Sequence, residues 1–227
     1  MVECLLCNKN FRNEFSLQKI FSFSSLTNSQ ICHRCEESFN SLNGKRTCTK
    51  CGRLLDIKAI NPCADCQHWQ DPDFTNRALY EYNKAFKEYM VKYKFMGDYR
   101  LRLVFQTELS RVINKTKKMV VAIPVNPDTL KTRGFNQVTG WFANVKYYDV
   151  LTPIDTTKAV AQSQKTRKER LELKQPFRLI ETAVSAIKGQ DILIVDDVYT
   201  TGRTIRHAAE LIRNAGARSV TGLTMAR

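Results

Sequence analysis

The chain has 227 residues, of which 43% are hydrophobic and 10% aromatic, and its formal net charge is +14. This composition is typical of a folded globular protein and excludes a disordered chain. Apolar runs such as 119–125 are far shorter than the roughly 18 residues that cross a bilayer, so no membrane insertion is expected. The first ten residues do not resemble a secretory signal, and we therefore expect a cytoplasmic protein.

All eight cysteines occur as C-x-x-C pairs in the N-terminal part of the chain. A single pair could be a redox motif, but four pairs indicate structural zinc, because two pairs supply the four thiolates of a tetrahedral site. Sequential pairing would give a double zinc ribbon and is favoured by the loop lengths, whereas interleaved pairing would give a cross-brace. The predicted ligands of two zinc ions are Cys4, Cys7, Cys32, Cys35, Cys48, Cys51, Cys63 and Cys66.

This cysteine-rich segment has little periodic apolar pattern, so the metal would supply much of its folding energy. Asp71-Pro72-Asp73 marks its end, which predicts a zinc-ribbon module over 1–73 and a second domain over 74–227. Eight thiolates and two zinc ions would reduce the net charge from +14 to about +10. The remaining positive charge favours a polyanionic partner or substrate, with nucleic acid and polyphosphate both eligible.

Aromatic and charged residues interleave over 77–105. Apolar residues three and four apart predict a helix that packs its aromatic face on the core, namely Phe86, Tyr89, Met90 and Tyr93. Lys92, Lys94 and Arg100 could present a basic edge beside it. A second amphipathic helix is predicted over 101–114.

From residue 118 onward, short apolar runs alternate with helical stretches. We predict strands at 119–125, 149–154, 191–195 and 219–224, and helices at 134–146 and 204–215. Continuous Val, Ile and Leu runs indicate strands that are covered on both faces, as in parallel sheets. The predicted fold class is therefore α/β, a parallel sheet with helices on both faces, and its ligand site should lie beyond the carboxyl ends of the strands.

Residues 192–204 read ILIVDDVYTTGRT and combine a buried strand, two carboxylates and a hydroxyl-rich turn into a helix. A helix N-terminus offers free amides and a positive dipole end, which suit a phosphate. Two adjacent carboxylates suit the vicinal hydroxyls of a ribose, or a metal ion through water. The pattern predicts a sugar-phosphate site, and the motifs of dinucleotide-binding and P-loop proteins are absent from the sequence.

The same thirteen residues resemble the signature of type I phosphoribosyltransferases. By that resemblance Asp196 and Asp197 hold the ribose hydroxyls of phosphoribosyl pyrophosphate. The residues implied to bind its 5′-phosphate are Thr200, Thr201, Gly202, Arg203 and Thr204. Mg²⁺ would accompany the pyrophosphate, as in other polyphosphate sites.

The order of the cysteine pairs, YKFMGD at 93–98, RGFNQ at 133–137 and the 192–204 segment resembles the ComF family of competence proteins. The resemblance implies a pyrophosphate loop from Pro124 to Gly134, in which Lys131 and Arg133 neutralise the leaving group. It also implies a mobile lid that includes Gln162 and 166–170. Two departures weaken the match: 171–173 lacks the usual asparagine, and Thr132 replaces a common basic residue.

The resemblance implies a role in natural transformation, in which the protein binds phosphoribosyl pyrophosphate and handles incoming single-stranded DNA beside a competence helicase. The basic residues that could neutralise the strand are Lys92, Lys94, Lys165, Arg167, Lys168 and Arg170. Two alternatives stay open: an active phosphoribosyltransferase on a nucleobase-like acceptor, and a regulator that senses phosphoribosyl pyrophosphate. Asp197 is the candidate base, since His207 is expected to be a structural or surface residue and the other histidines, His33 and His68, lie in the zinc module.

Overall fold

The computed structural model describes residues 1–12, 29–69, 73–154 and 175–227. Its strands, in chain order, are β1 (Val2–Glu3), β2 (Asn10–Phe11), β3 (Thr75–Tyr80), β4 (Met119–Ala122), β5 (Leu151–Pro153), β6 (Phe177–Leu179), β7 (Asp191–Val198) and β8 (Ser219–Ala226). Its α-helices are α1 (His33–Glu37), α2 (Ala64–Gln67), α3 (Lys84–Met90), α4 (Gln106–Asn114), α5 (Pro127–Arg133), α6 (Gln137–Gly140), α7 (Val184–Ile187) and α8 (Arg203–Asn214). A π-helix (Val91–Phe95) continues α3, and 3₁₀ turns (Tyr99–Val104 and Glu181–Ala183) precede α4 and α7.

A four-stranded parallel sheet in the order β3-β8-β7-β4 forms the centre of the protein. Residues 192–197 of β7 are all buried, because helices cover both faces of the sheet. Helices α3 and α4 pack on one face, against Leu193 and Val195, and α8 packs on the other, against Ile192 and Ile194. The predicted α/β fold with a parallel sheet is therefore confirmed.

The two halves of the cysteine-rich segment lie on opposite faces of this sheet. Cys4 is buried in the core that contains α3 and α4, together with Ile31 and Phe39. Cys48, Cys51, Cys63 and Cys66 belong to the core that contains α8. The segment thus shares both cores with the sheet, and its division from 74–227 at residue 73 stays a prediction.

Residues 40–52 run along the outer edge of β3. The Leu42 amide donates to the Leu79 carbonyl (2.8 Å), and the Asn76 amide donates to the Lys50 carbonyl (2.8 Å). Gly52 has a φ of +76°, and a Cβ there would lie 2.7 Å from the Ala78 nitrogen. Only glycine permits this approach, which covers an edge strand that would otherwise expose its backbone groups.

Three predicted elements differ from the structure. The helix predicted over 134–146 is wrong: Gly134 (φ +81°) ends α5, and Asn136 then caps the short α6. The strand predicted over 149–154 is present as β5, but it pairs antiparallel with β6 outside the main sheet. The start of the helix predicted over 101–114 is a 3₁₀ turn, with α4 following it.

The sequence did not predict β3, although β3 forms one edge of the sheet. Its residues, TNRALY, lack the continuous apolar run that indicates a central parallel strand. Strand β7 extends to Val198, three residues past its predicted end, and so carries both carboxylates of the motif within the sheet. No described helix has the length and apolar character needed to cross a bilayer.

Candidate functional site

The two carboxylates of the motif lie near the end of β7, at the carboxyl edge of the sheet. Asp196 is opposite Thr224 of β8, and Asp196 and Asp197 are each 6% exposed. The Asp197 amide donates to Asp196 Oδ1 (2.8 Å), and the Val198 amide donates to Asp197 Oδ1 (2.7 Å). Burial, reinforced by the charge of Asp197, raises the pKa of Asp196 well above its usual range. The site therefore holds two acidic groups that lack full solvation.

A tight loop of residues 199–202 connects β7 to α8. Gly202 has a φ of +80° and is the N-cap of α8, and the Arg206 amide donates to its carbonyl (3.0 Å). A Cβ on Gly202 would lie 2.2 Å from the Tyr199 ring, so the buried tyrosine occupies the space beneath the glycine. Thr200, Thr201 and Thr204 are exposed, and Arg203 is half-buried in the first turn of α8.

Threonine hydroxyls therefore surround the N-terminus of a twelve-residue helix, beside the two carboxylates, and the Arg203 amide donates to the Thr201 hydroxyl (3.4 Å). This end of the helix carries the positive end of its dipole, and the amides of its first turn have no partner within the helix. The structure thus brings together all the residues of the motif that were predicted to bind a sugar phosphate. The arrangement can bind an anion at the helix and hydroxyl groups at the carboxylates.

The loop after β4 forms the other wall of the site. Asn126 caps α5 by accepting from the Asp128 amide (2.9 Å). Lys131 is exposed and lies 3.6 Å from Asp128 in an ion pair, while Gly134 ends the helix in the left-handed conformation. Arg133 donates from Nε to the Lys94 carbonyl (2.9 Å) and also contacts Gln137. Arg133 therefore fixes this loop to the π-helix, whereas Lys131 faces solvent.

Lys94 also lies in this site. The sequence predicted the site but did not predict that Lys94 would be part of it. The Lys94 ammonium forms an ion pair with Asp197, and the two side chains are 21% and 9% exposed. Lys94 lies in the π-helix that continues α3. The wider turn of a π-helix changes which residues of the 86–95 segment face the sheet. The spacing of apolar residues three and four apart, on which the helix was predicted, does not reveal a π-helical turn. Lys92 instead donates to the Leu6 carbonyl (3.0 Å).

Lys92 and Lys94, both predicted to contact nucleic acid, thus have partners within the protein. The other four predicted contacts, Lys165, Arg167, Lys168 and Arg170, lie outside the described residues, as do Gln162 and the rest of the predicted lid. His207 lies within α8 and is half-buried.

The eight cysteines form two groups of four, Cys4/Cys7/Cys32/Cys35 and Cys48/Cys51/Cys63/Cys66, hereafter the first and second cysteine groups. This grouping confirms the sequential pairing. Within each group the Sγ atoms lie within 4.8 Å of one another, and Cys51 and Cys63 are 3.7 Å apart. Tetrahedral coordination with bonds of about 2.3 Å places sulfur atoms about 3.8 Å apart, so each group fits a metal ion such as zinc.

The thiols of the second cysteine group differ: burial raises the pKa of Cys63 and of Cys66, whereas the backbone around Cys48 favours its thiolate. Burial opposes ionisation of Cys48, but hydrogen bonds from the backbone of Cys63, Cys51 and Lys50 outweigh it and lower the pKa of this thiol to about 6. All four members of the group are buried, whereas Cys7 of the first group is exposed. Since a metal ligand must be deprotonated, a thiol that ionises readily prepares the site for a metal ion.

Comparison with known proteins identifies the family. Residues 107–226 match the family model of the phosphoribosyl transferase domain. The chain is 35% identical to Competence protein ComFC of Streptococcus pneumoniae over the full length of both proteins. The chain belongs to the ComFC family. It is also 28% identical to Competence protein ComFC of Bacillus subtilis, over 99% of this chain and 94% of that protein.

A shorter similarity relates this ComFC-family chain to an enzyme. Over 40 residues it is 48% identical to hypoxanthine-guanine phosphoribosyltransferase of Lactococcus lactis, a stretch of 18% of this chain and 22% of that protein.

Two arginines that the sequence did not single out contact the 199–202 loop of this ComFC-family protein. Arg227 donates from Nη1 to the carbonyls of Tyr199 (3.1 Å) and Thr200 (2.7 Å). Arg206 donates from Nε to the Tyr199 hydroxyl (3.0 Å). Both arginines lie outside the 192–204 segment, and no other sequence motif includes them. Their contact with the loop depends on the fold.

Proposed function

We propose that this ComFC-family competence protein binds phosphoribosyl pyrophosphate with Mg²⁺, holds zinc in its two cysteine groups, and handles incoming single-stranded DNA in the cytoplasm beside a competence helicase. The observation that carries the proposal is the position of Asp196 and Asp197 beside the N-terminus of α8 and its threonine hydroxyls. A 5′-phosphate would bind the amides and threonine hydroxyls there, and the ribose hydroxyls would bind the carboxylates.

Lys94 gives this site a means of responding to its ligand. Its ammonium forms an ion pair with Asp197, which is nearly buried. Ribose hydroxyls that bind Asp197 would compete with Lys94, and the released ammonium would then lie close to the pyrophosphate end of the ligand. Mg²⁺ would neutralise the pyrophosphate, with Lys131 on the opposite wall of the site.

Ligand-induced stabilisation tests this proposal. Thermal unfolding is measured with and without phosphoribosyl pyrophosphate and Mg²⁺ for the wild type and for an Asp196→Asn/Asp197→Asn variant. A ligand present at 100 times its Kd stabilises the folded state by about 2.7 kcal/mol, so a clear shift is expected for the wild type and none for the variant. Asp191→Asn is the matched control, because Asp191 begins the same strand and lies outside the site. Equal shifts in all three proteins, or none, would contradict the proposal.

A basic groove supports the proposed handling of DNA. A cavity of about 620 Å³ lies between residues 41–52, β3 and α4. Four exposed cations line it, and none of them forms an ion pair with another described residue. These cations are Lys45, Arg77, Arg111 and Lys115. The groove lies at the outer edge of the sheet, away from Asp196 and Asp197. Because Lys92 and Lys94 have partners within the protein, this groove is the better surface for a phosphate backbone.

Salt dependence tests the groove. Each phosphate that is neutralised on a single strand contributes about −0.7 to the slope of log K against log salt concentration. The double substitution Lys45→Gln/Arg111→Gln should weaken binding of an oligothymidylate and reduce the magnitude of the slope by about 1.4. Lys84→Gln is the control, since Lys84 is 92% exposed on α3 and pairs only with Glu88 among described residues. An unchanged slope in the double variant would exclude the groove as the DNA surface.

Turnover is the second candidate function, and the 40-residue similarity to a phosphoribosyltransferase favours it. In that case Asp197 would act as a base only after Lys94 leaves it, because the Lys94 ammonium occupies the Oδ2 atom of that carboxylate. Release of pyrophosphate on addition of a panel of nucleobases tests this function. Release with none of them would leave the protein as a binding module.

A further inference from the structure

The second cysteine group adjoins the 199–202 loop, and Arg227 lies between them. The side chain of Arg227 is 9% exposed. Its Nη1 donates to the carbonyls of Tyr199 and Thr200, and its Nη2 donates to Asp65 Oδ2 (3.3 Å). Asp65 lies in the turn between Cys63 and Cys66, two members of the second cysteine group. One side chain thus connects the predicted metal site to the loop.

A second set of contacts joins the same two parts of the molecule. Trp69 follows Cys66 closely, and its amide donates to the Cys66 carbonyl (3.4 Å). The Trp69 ring packs on the Arg206 guanidinium, with 4.6 Å between the guanidinium carbon and the ring centroid. Arg206 in turn donates to the Tyr199 hydroxyl (3.0 Å). Tyr199 is therefore held by its hydroxyl through Arg206 and by its carbonyl through Arg227.

The burial of Arg206 gives the metal an electrostatic role. Arg206 is 5% exposed, and its Nη1 and Nη2 have no hydrogen-bond partner among the described residues. A buried cation is costly unless a counter-charge lies nearby. Four thiolates and one Zn²⁺ carry a net charge of −2, and Cys51 and Cys66 belong to the same buried cluster as Tyr199. The loaded second cysteine group would therefore stabilise Arg206 where it holds the loop.

The loop needs this support to bind a phosphate. Its amides and hydroxyls can face an anion only if the carbonyls of Tyr199 and Thr200 point away from the site. Arg227 donates to both carbonyls and thereby fixes their orientation. Without an ordered Cys63–Cys66 turn, Asp65 would no longer anchor the far end of Arg227.

We propose that metal in the second cysteine group and phosphoribosyl pyrophosphate at the 199–202 loop stabilise each other's binding, with Arg227 as the positioning residue between them. This inference rests on the proposed function, since it requires the loop to bind that ligand. Thermodynamic coupling is reciprocal, so the ligand must retain the metal as strongly as the metal improves ligand binding. The first cysteine group has no such contact with the loop among the described residues, and its metal should be unaffected.

The test measures the zinc affinity of the full chain by equilibrium competition with a chromogenic chelator, with and without saturating phosphoribosyl pyrophosphate and Mg²⁺. In the wild type, the ligand should tighten the binding of one of the two zinc ions at least about fivefold and leave the other unchanged. Arg227→Gln should abolish that tightening and weaken ligand binding, measured by calorimetry, by a similar factor. Arg218→Gln is the matched control, because Arg218 pairs with Asp191 at the other end of β7.

Asp65→Asn separates positioning from folding. It leaves the contacts of Arg227 with the loop carbonyls in place but removes the charge that anchors its far end. The same substitution also removes the ion pair of Asp65 with Arg53 (2.5 Å), so Arg53→Gln is measured beside it to separate the two contacts. We expect Asp65→Asn to bind two zinc ions and the ligand, yet to lose the ligand's effect on zinc affinity. If Arg227→Gln does not fold, Asp65→Asn decides alone.

The outcomes distinguish this inference from the proposed function. If calorimetry detects no ligand binding to the wild type, the proposed function fails. If the ligand binds but neither zinc affinity changes, only the coupling is overturned. If the wild type shows the coupling and Asp65→Asn and Arg227→Gln behave as the wild type, the role of Arg227 is overturned.

Discussion

The space beneath Gly202 makes a quantitative prediction. Replacement by alanine puts a Cβ 2.2 Å from the Tyr199 ring at a φ of +80°. The left-handed conformation costs alanine about 1–2 kcal/mol, and forcing an extra methyl into a packed site costs about 1–3 kcal/mol. Gly202→Ala should therefore lower the free energy of unfolding by about 2–5 kcal/mol.

Gly189→Ala isolates the contribution of the ring. Gly189 has a similar φ of +71°, but a Cβ there meets no atom within 4 Å. It should cost only the conformational term of about 1–2 kcal/mol. Urea unfolding of the zinc-loaded proteins measures both changes, provided that the m-values agree. In a Tyr199→Ala background the methyl has room, and the cost of Gly202→Ala should fall to that of Gly189→Ala.

Equal costs for Gly202→Ala and Gly189→Ala in the wild-type background would refute the reasoning, because the Tyr199 ring would then not pack beneath the loop. The contact also bears on ligand binding. A ring displaced by the methyl would lose its hydrogen bond with Arg206, so Gly202→Ala should reduce the thermal shift caused by phosphoribosyl pyrophosphate.

Three further predictions concern metal, protons and the core. Metal analysis of the purified protein should return close to two zinc ions per chain, and Cys63→Ser should return one; a wild-type content below two would contradict the pairing into two sites. Since burial and the charge of Asp197 raise the pKa of Asp196, its proton stabilises the folded state fully below about pH 4 and progressively less as pH rises through the raised pKa. Asp196→Asn should therefore melt at a higher temperature than the wild type at pH 8 and at nearly the same temperature at pH 4. A lower melting temperature of the variant at pH 8 would be inconsistent with a buried Asp196 carboxyl of raised pKa. The buried Trp141 indole N–H donates to the Tyr89 hydroxyl (2.8 Å). Tyr89→Phe removes this acceptor and should lower the free energy of unfolding in urea by about 1–3 kcal/mol. A smaller loss would imply that the indole finds another acceptor.

The parts of the fold that could be predicted from sequence are those whose local pattern has one meaning. The apolar run of β7 favours a strand buried on both faces, and the four C-x-x-C pairs favour metal ligation. The TTG turn before α8 likewise has a local physical cause, since glycine at the N-cap supplies the positive φ that the loop needs.

The remaining elements depend on contacts between distant segments. Strand β3 is a strand because β8 and the 40–52 segment pair with its two edges, and not because of its own residues. Lys94 reaches Asp197 through a π-helix, which no apolar periodicity reports. Arg206 and Arg227 become part of the site only when the second cysteine group is folded against it.

The pairing of β3 with β8 also constrains how the protein folds. Thr75 lies opposite Thr221, so the sheet edge next to the cysteine-rich segment cannot form until nearly the whole domain has been synthesised. Closing so long a loop is slow, because its entropic cost must be met before the contacts that reward it are made. During synthesis the cysteines would emerge first and have no sheet on which to pack. Early capture of zinc would then protect these thiols, and the nascent chain would carry its metal before it has the core that later buries it.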